Sequence, residues 1–167
     1  NKDYIEYAEE DPKKATVMRI YNKEFNYSYK EQIKSRLLFS ILKKLLFDEV
    51  REKDNLVYSI SVSKYFDQKI PIELMSFYIY FESDPNNIDK IKDKINIIID
   101  KVKNKDFDLQ IFKDQKLALK NRYQSSLKTN GFWLNTLVNA KQYNLSIERI
   151  SYTDAMLNSV SVNDIVK

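Results

Sequence analysis

The period of the apolar residues changes abruptly near residue 55, and that change limits the folds open to this chain of 167 residues. Across residues 29–52, Ile33, Leu37, Leu38, Ile41, Leu42, Leu45, Leu46 and Val50 recur at helical spacing. Lys30, Glu31, Lys34, Lys44 and Asp48 fall on the other side. A stripe this wide predicts a helix lying on a sheet. Ser28, with Glu31 three residues on, supplies its N-cap. From residue 56 the period becomes two. Leu56, Tyr58, Ile60 and Val62 alternate with Val57, Ser59, Ser61 and Ser63, which predicts a strand over 56–63 with one buried face. Met75, Phe77, Ile79 and Phe81 alternate with Ser76, Tyr78 and Tyr80, which predicts a second strand over 74–82. Residues 64–73, with Pro71, read as a hairpin loop, so the two strands should pair antiparallel.

The flanks complete the pattern. Residues 15–21, with Val17, Met18 and Ile20, read as a first strand. Residues 1–14 are polar, end in Asp11-Pro12-Lys13-Lys14, and read as a linker or arm. The start, Asn1-Lys2-Asp3, lacks an initiator Met and reads as a cut from a longer chain. Asp84-Pro85 opens a helix with the stripe Ile88, Ile91, Ile95, Ile98 and Val102. Further helices are expected over 108–127, from 130 onward, over 152–157, and from Ser161. The one starting at 130 carries Phe132, Trp133, Leu134, Leu137 and Val138, and its aromatics read as core. The order β-α-β-β-α-α-α predicts an α+β fold: an antiparallel-type sheet with helices packed on one face. Residues 15–167 form one such domain, expected to stop short of its C-terminal helix and last strand. The other sheet face, bearing Tyr78 and Tyr80, is left to meet something else.

Absences narrow the chemistry. The chain has no His and no Cys, which removes Ser-His-Asp and Cys-His catalysis, disulfides and the usual zinc ligands. Gly131 is its only glycine, so no glycine-rich phosphate loop exists. Asp48, Glu49 and Glu52 lie close on one helix, but without a nitrogen ligand and with lysines beside them they read as a solvated face. The net charge is +4, yet acids are interspersed with the lysines and the arginines are few, so no nucleic-acid partner is expected. No apolar run approaches the roughly 20 residues that span a bilayer, so no membrane partner is expected either.

One segment says more: Leu45-Leu-Phe-Asp-Glu-Val-Arg51-Glu-Lys-Asp-Asn-Leu-Val-Tyr58-Ser. A long amphipathic helix ends in Arg-Glu-Lys, a short polar turn follows, and a strand begins with Leu-Val-Tyr-Ser. This resembles the corresponding segment in C-terminal, non-metal-binding domains of the pitrilysin, insulysin and processing-peptidase family, the inverted HxxEH zinc proteases. Phe81-Glu-Ser-Asp-Pro85 and Asn130-Gly-Phe-Trp-Leu134 resemble its PqqL-like bacterial members. Together the likeness spans about residues 14–167. One departure is Asn55, near where the family often has Gly; Asn also tolerates a left-handed turn.

The resemblance implies the two-layer fold of LuxS- and processing-peptidase-like metallohydrolases. It implies a zinc metalloendopeptidase whose zinc is bound by another, N-terminal domain of the same protein, with no metal in this segment. That domain and a peptide substrate are the implied partners. Arg51 and Tyr58 correspond to the family's chamber residues, Arg51 as a substrate contact and Tyr58 as a phenol donating to the oxyanion of the transition state. Tyr78 and Tyr80 are candidate substrate contacts on the sheet face. Other readings remain beside these. Any cation is favoured near a helix C-terminus, and any aromatic on a strand. Alternation puts Tyr58 on the core side with Ile60, so its role requires a place at the strand's mouth or a bulge that turns it outward. The alternative function is a non-catalytic scaffold or interaction domain of a family member that has lost proteolysis.

Overall fold

The computed structural model describes residues 2–8, 13–24, 28–67 and 73–165. Its sheet has four antiparallel strands, β1 (Lys2–Ala8), β2 (Lys14–Glu24), β3 (Ser59–Asp67) and β4 (Leu74–Ser83), in the order β1-β2-β4-β3. Six helices accompany it: α1 (Tyr29–Leu46), α2 (Ile88–Lys103), α3 (Leu109–Ser126), α4 (Asn130–Gln142), α5 (Thr153–Ser159) and α6 (Val162–Ile165). This is the expected α+β fold, with the predicted hairpin of β3 and β4.

The core forms where the two periodicities meet. Val17 on β2 lies opposite Phe81 on β4, and Phe81 lies opposite Ile60 on β3. Val17, Ile79 and Phe81 are wholly buried, beside Leu37, Ile41 and Leu46 of α1 and Ile91 and Ile95 of α2. Leu157, Val160 and Ile165 close the same core from the C-terminal helices. The alternate set, Met18, Tyr78, Tyr80, Ser61 and Ser63, shares the opposite face of the sheet.

Local sequence sets the helix ends. Ser28 Oγ accepts from Glu31 N at 3.1 Å, as the capping pattern predicts. Asp84 accepts from Asn86 N at 2.8 Å, Pro85 opens a 3₁₀ turn, and α2 follows with its whole isoleucine stripe buried. Ser161 N and Oγ both donate to Asp164 at the head of α6.

Four expectations change. Residues 2–8, read as linker or arm, form the edge strand β1. Asp3, Tyr4, Ile5 and Glu6 are exposed, so the alternation that marks a half-buried strand is missing; backbone pairing with β2 and an Arg19–Asp3 ion pair of 3.0 Å hold the strand instead. Arg19 is buried and also donates to Lys92 O and Asn96 Oδ1 on α2, so it ties β1 to the helical layer. The first long helix changes pitch: α1 ends at Leu46 and Phe47–Lys53 winds as a π-helix. The strand predicted over 56–63 begins and ends later, so Lys64, Tyr65 and Phe66 are strand rather than loop; residues 68–72 of that loop lie outside the described residues. Finally, α4 does not face the core. Trp133, Leu134, Leu137 and Val138 are exposed, and Trp133 Nε1 caps Leu127 O at 2.8 Å.

Candidate functional site

The π-helix places Arg51. One extra residue per turn is costly and uncommon, and such turns gather at functional positions. Here it lets α1 keep Leu45, Leu46 and Val50 buried while Arg51 points out, its guanidinium 5.1 Å from the Phe47 ring. The chain then reverses. Asn55 takes a left-handed φ of 48°, a conformation Asn tolerates, so the turn forms without glycine. Asn55 N donates to Arg51 O and Leu56 N to Val50 O, both at 3.0 Å, which closes the end of the helix. Lys94 of α2 pairs with Asp54 and braces the turn from below; its ammonium holds the Asp54 carboxyl below the usual carboxylate range.

The same turn decides where Tyr58 goes. Leu56 and Val57 are both buried, so two consecutive side chains point inward and alternation is interrupted. Ladder pairing starts with Tyr58 N donating to Glu82 O at 2.7 Å, and regular strand starts at Ser59. Tyr58 therefore stands at the mouth of β3 and is 46% exposed, unlike Ile60 two residues later. Among the described residues neither Arg51 nor Tyr58 makes a side-chain hydrogen bond or ion pair.

Tyr78 and Tyr80 lie on the helix-free sheet face, opposite Ser63 and Ser61 and not opposite Tyr58. Tyr80 was joined there by a partner that periodicity did not single out. Its hydroxyl donates to Glu82 Oε1 at 2.9 Å, and Ser59 Oγ donates to Glu82 Oε2 at 3.1 Å. The bond to Glu82 pushes the Tyr80 phenol up, so it stays protonated. The spacing i, i+2 on one strand would have placed Tyr80 and Glu82 side by side.

Periodicity does not single out Lys64, because residues 64–73 read as loop. On β3 it shares the inward face of Ile60 and Val62, between the Phe39 and Phe66 rings at 5.0 and 5.6 Å. Burial, and secondarily the Arg36 guanidinium, bring its pKa from 10.5 down to about 7. The unfolded chain therefore holds the proton more tightly, and stability should rise with pH from about 7 towards 10.5. Lys64→Met is expected to stabilise the protein by about 2 kcal/mol at pH 6, with the gain shrinking at pH 9. Urea midpoints at the two pH values check this; a destabilised or pH-independent variant would contradict it.

Two of the carboxylates singled out on the long helix pair with lysines, Asp48 with Lys44 at 2.8 Å and Glu49 with Lys53 at 3.6 Å. With no His or Cys, and no cluster of three or more metal-ligating side chains among the described residues, this donor set does not fit a zinc site.

The candidate site thus sits on a one-sided antiparallel α+β layer, where the first long helix runs into a polar turn and an outward tyrosine. Residues 1–119 match the family model described as the peptidase M16 inactive domain, and the chain belongs to that family. No curated protein sequence matches it. Among solved structures it is similar to the periplasmic protease PqqL from Escherichia coli, with a TM-score of 0.74 and 17% identity over 92% of this chain and 17% of that one. The peptidase M16 inactive domain from Pseudomonas fluorescens gives a TM-score of 0.74 at 17% identity, over 92% of this chain and 36% of that one. A mutant of the ferredoxin protease FusC, solved with Arabidopsis ferredoxin, gives 0.73 at 12% identity, over 92% and 17%. The chain thus spans between about a sixth and a third of these relatives.

Proposed function

We propose that this chain is the part of a zinc metalloendopeptidase that supplies substrate and transition-state contacts to an active site whose zinc is held by another domain of the same protein. The observation that carries this reading is the exposed, uncommitted phenol of Tyr58, set at a strand mouth just after a π-helical turn that exposes Arg51. The metal domain would supply a polarised carbonyl and an activated water. From this chain, Tyr58 would donate its phenolic hydrogen to the oxygen that gains charge, and Arg51 would present its planar fork to a substrate carbonyl or carboxylate. The π-turn, the left-handed Asn55 and the Lys94–Asp54 pair hold both in place before substrate arrives. Tyr78 and Tyr80 would offer aromatic surface to an extended peptide, and β3, at one edge of the described sheet, would offer ladder pairing.

The test uses the full-length protein. Purified with its metal, it is expected to cleave unstructured peptides and to lose that activity on chelation, with recovery on adding zinc. A folded full-length protein that retains its metal and cleaves nothing, or whose cleavage ignores chelators, would leave the scaffold reading in its place.

A further inference from the structure

Four cations from four separate elements converge on one cavity of about 570 Å³: Arg36 from α1, Lys64 from β3, Arg122 from α3, and Arg149 from the 3₁₀ turn that precedes α5. Among the described residues that line it there is no carboxylate, and none of the four has an ion-pair partner. A neighbouring cavity of about 510 Å³ shares Arg36, Lys64 and Arg122 and is likewise lined by no described carboxylate. Acids are not scarce in this chain, which has 24 against 28 Lys and Arg, and some of its lysines find one within a turn or across elements, as Lys34 does with Glu31 and Lys92 with Asp3.

We propose that this cavity binds an acidic segment of a peptide or protein, with Arg36, Lys64, Arg122 and Arg149 taking its carboxylates.

Three features favour that occupant over a phosphate ligand. First, the cations are spread over four elements and interleaved with rings and amides, including Tyr29, Phe66, Asn135 and Asn139. Such a wall suits several side chains and a backbone better than one compact anion. Second, phosphate sites are commonly built on backbone N–H groups of a glycine-rich loop or nest, and the only glycine here lies inside α4. Third, guanidinium forks match carboxylates in bidentate geometry, and three of the four cations are arginines.

The arrangement also explains an otherwise unfavourable position. Lys64 is largely desolvated with the Arg36 guanidinium acting on it, and Arg122 and Arg149 line the same cavity. A charge kept there without a partner destabilises the free domain, as a site awaiting an anion does. An incoming carboxylate would hold the ammonium charged, so affinity should fall as pH rises through about 7. The proposal concerns binding alone and stands whether or not the parent protein cleaves peptides.

The experiment measures fluorescence anisotropy of a labelled peptide of alternating Glu and Phe, titrated with full-length protein in chelator so that cleavage cannot consume it. A matched Gln/Phe peptide and unlabelled tripolyphosphate serve as comparison ligands. The Glu/Phe peptide is expected to bind at least about tenfold more tightly than the Gln/Phe peptide and to weaken with salt. Arg36→Gln combined with Arg122→Gln should weaken it by about tenfold, while Lys103→Gln, at the exposed end of α2 and outside the cavity lining, should leave it unchanged. Arg36 and Arg122 are exposed, so folding should tolerate the change; the single variants, each expected at about threefold, decide the matter if the pair folds poorly. Equal binding of the two peptides, no loss in the arginine variants, or saturable tripolyphosphate binding without peptide binding would each overturn the proposal.

Discussion

Tyr58→Phe in the full-length protein is expected to lower turnover by about 100-fold while leaving bound metal and the thermal midpoint unchanged. The size follows from what one preorganised donor contributes where charge develops on a substrate oxygen. The selectivity follows from position. Tyr58 is 46% exposed and bonds no described side chain, so removing its hydroxyl opens no core and orphans no partner. Because the donor matters most once the oxygen carries charge, turnover should fall far more than apparent substrate affinity. Arg51→Lys would act differently: it keeps the charge and loses the fork, so substrate affinity should carry more of the change. Full activity in Tyr58→Phe would remove the phenol from the mechanism and leave the family fold without this chemical role.

Phe81→Ala is expected to cost about 3–5 kcal/mol, the range for deleting a buried aromatic side chain. Phe81 is wholly buried on an inner strand, between Val17 and Ile60, under α1 and α2. Against a typical domain stability of about 5–15 kcal/mol, that is a large fraction, and a drop in the melting midpoint of about 10 °C is anticipated. Tyr80→Ala, one residue away on the same strand, faces the other side of the sheet and should cost far less. Calorimetry of the two variants compares the faces directly. Similar losses would mean that the helical layer does not sit where the alternation of β4 places it.

Much of the architecture was legible because it rests on repeated, local signals. The stripe from Ile33 to Val50 had to find an apolar surface, and Met75 to Phe81 alternated strictly enough to name its face. Ser28, Asp84 and Ser161 announced their helices because a cap is a contact between near neighbours. The edge strand β1 gave no such signal. An edge strand with both faces largely wet needs only backbone pairing, and backbone pairing has no residue code. Trp133 and its neighbours misled for the opposite reason: an apolar run reads as core, yet α4 leaves them exposed.

The candidate site divides along the same line. Order and chemistry were local: an arginine at the end of a helix, a turn residue able to take positive φ, and a tyrosine seven positions on. Which way the phenol points was not local. Period two assigned Tyr58 to the core, and the reversal depends on a π-helical turn, an Asn55 at φ 48° and two successive inward residues, which only the packing of α1 against β3 and α2 selects. The cationic cavity is more remote still, since Arg36, Lys64, Arg122 and Arg149 become neighbours only when four elements close around one space. Residue types and their periods thus determined the layers, the buried faces and the exclusion of a metal site built from His or Cys. Side-chain direction at the strand mouth and the gathering of unpaired charge were decided by tertiary packing, because both depend on contacts between residues far apart in the chain.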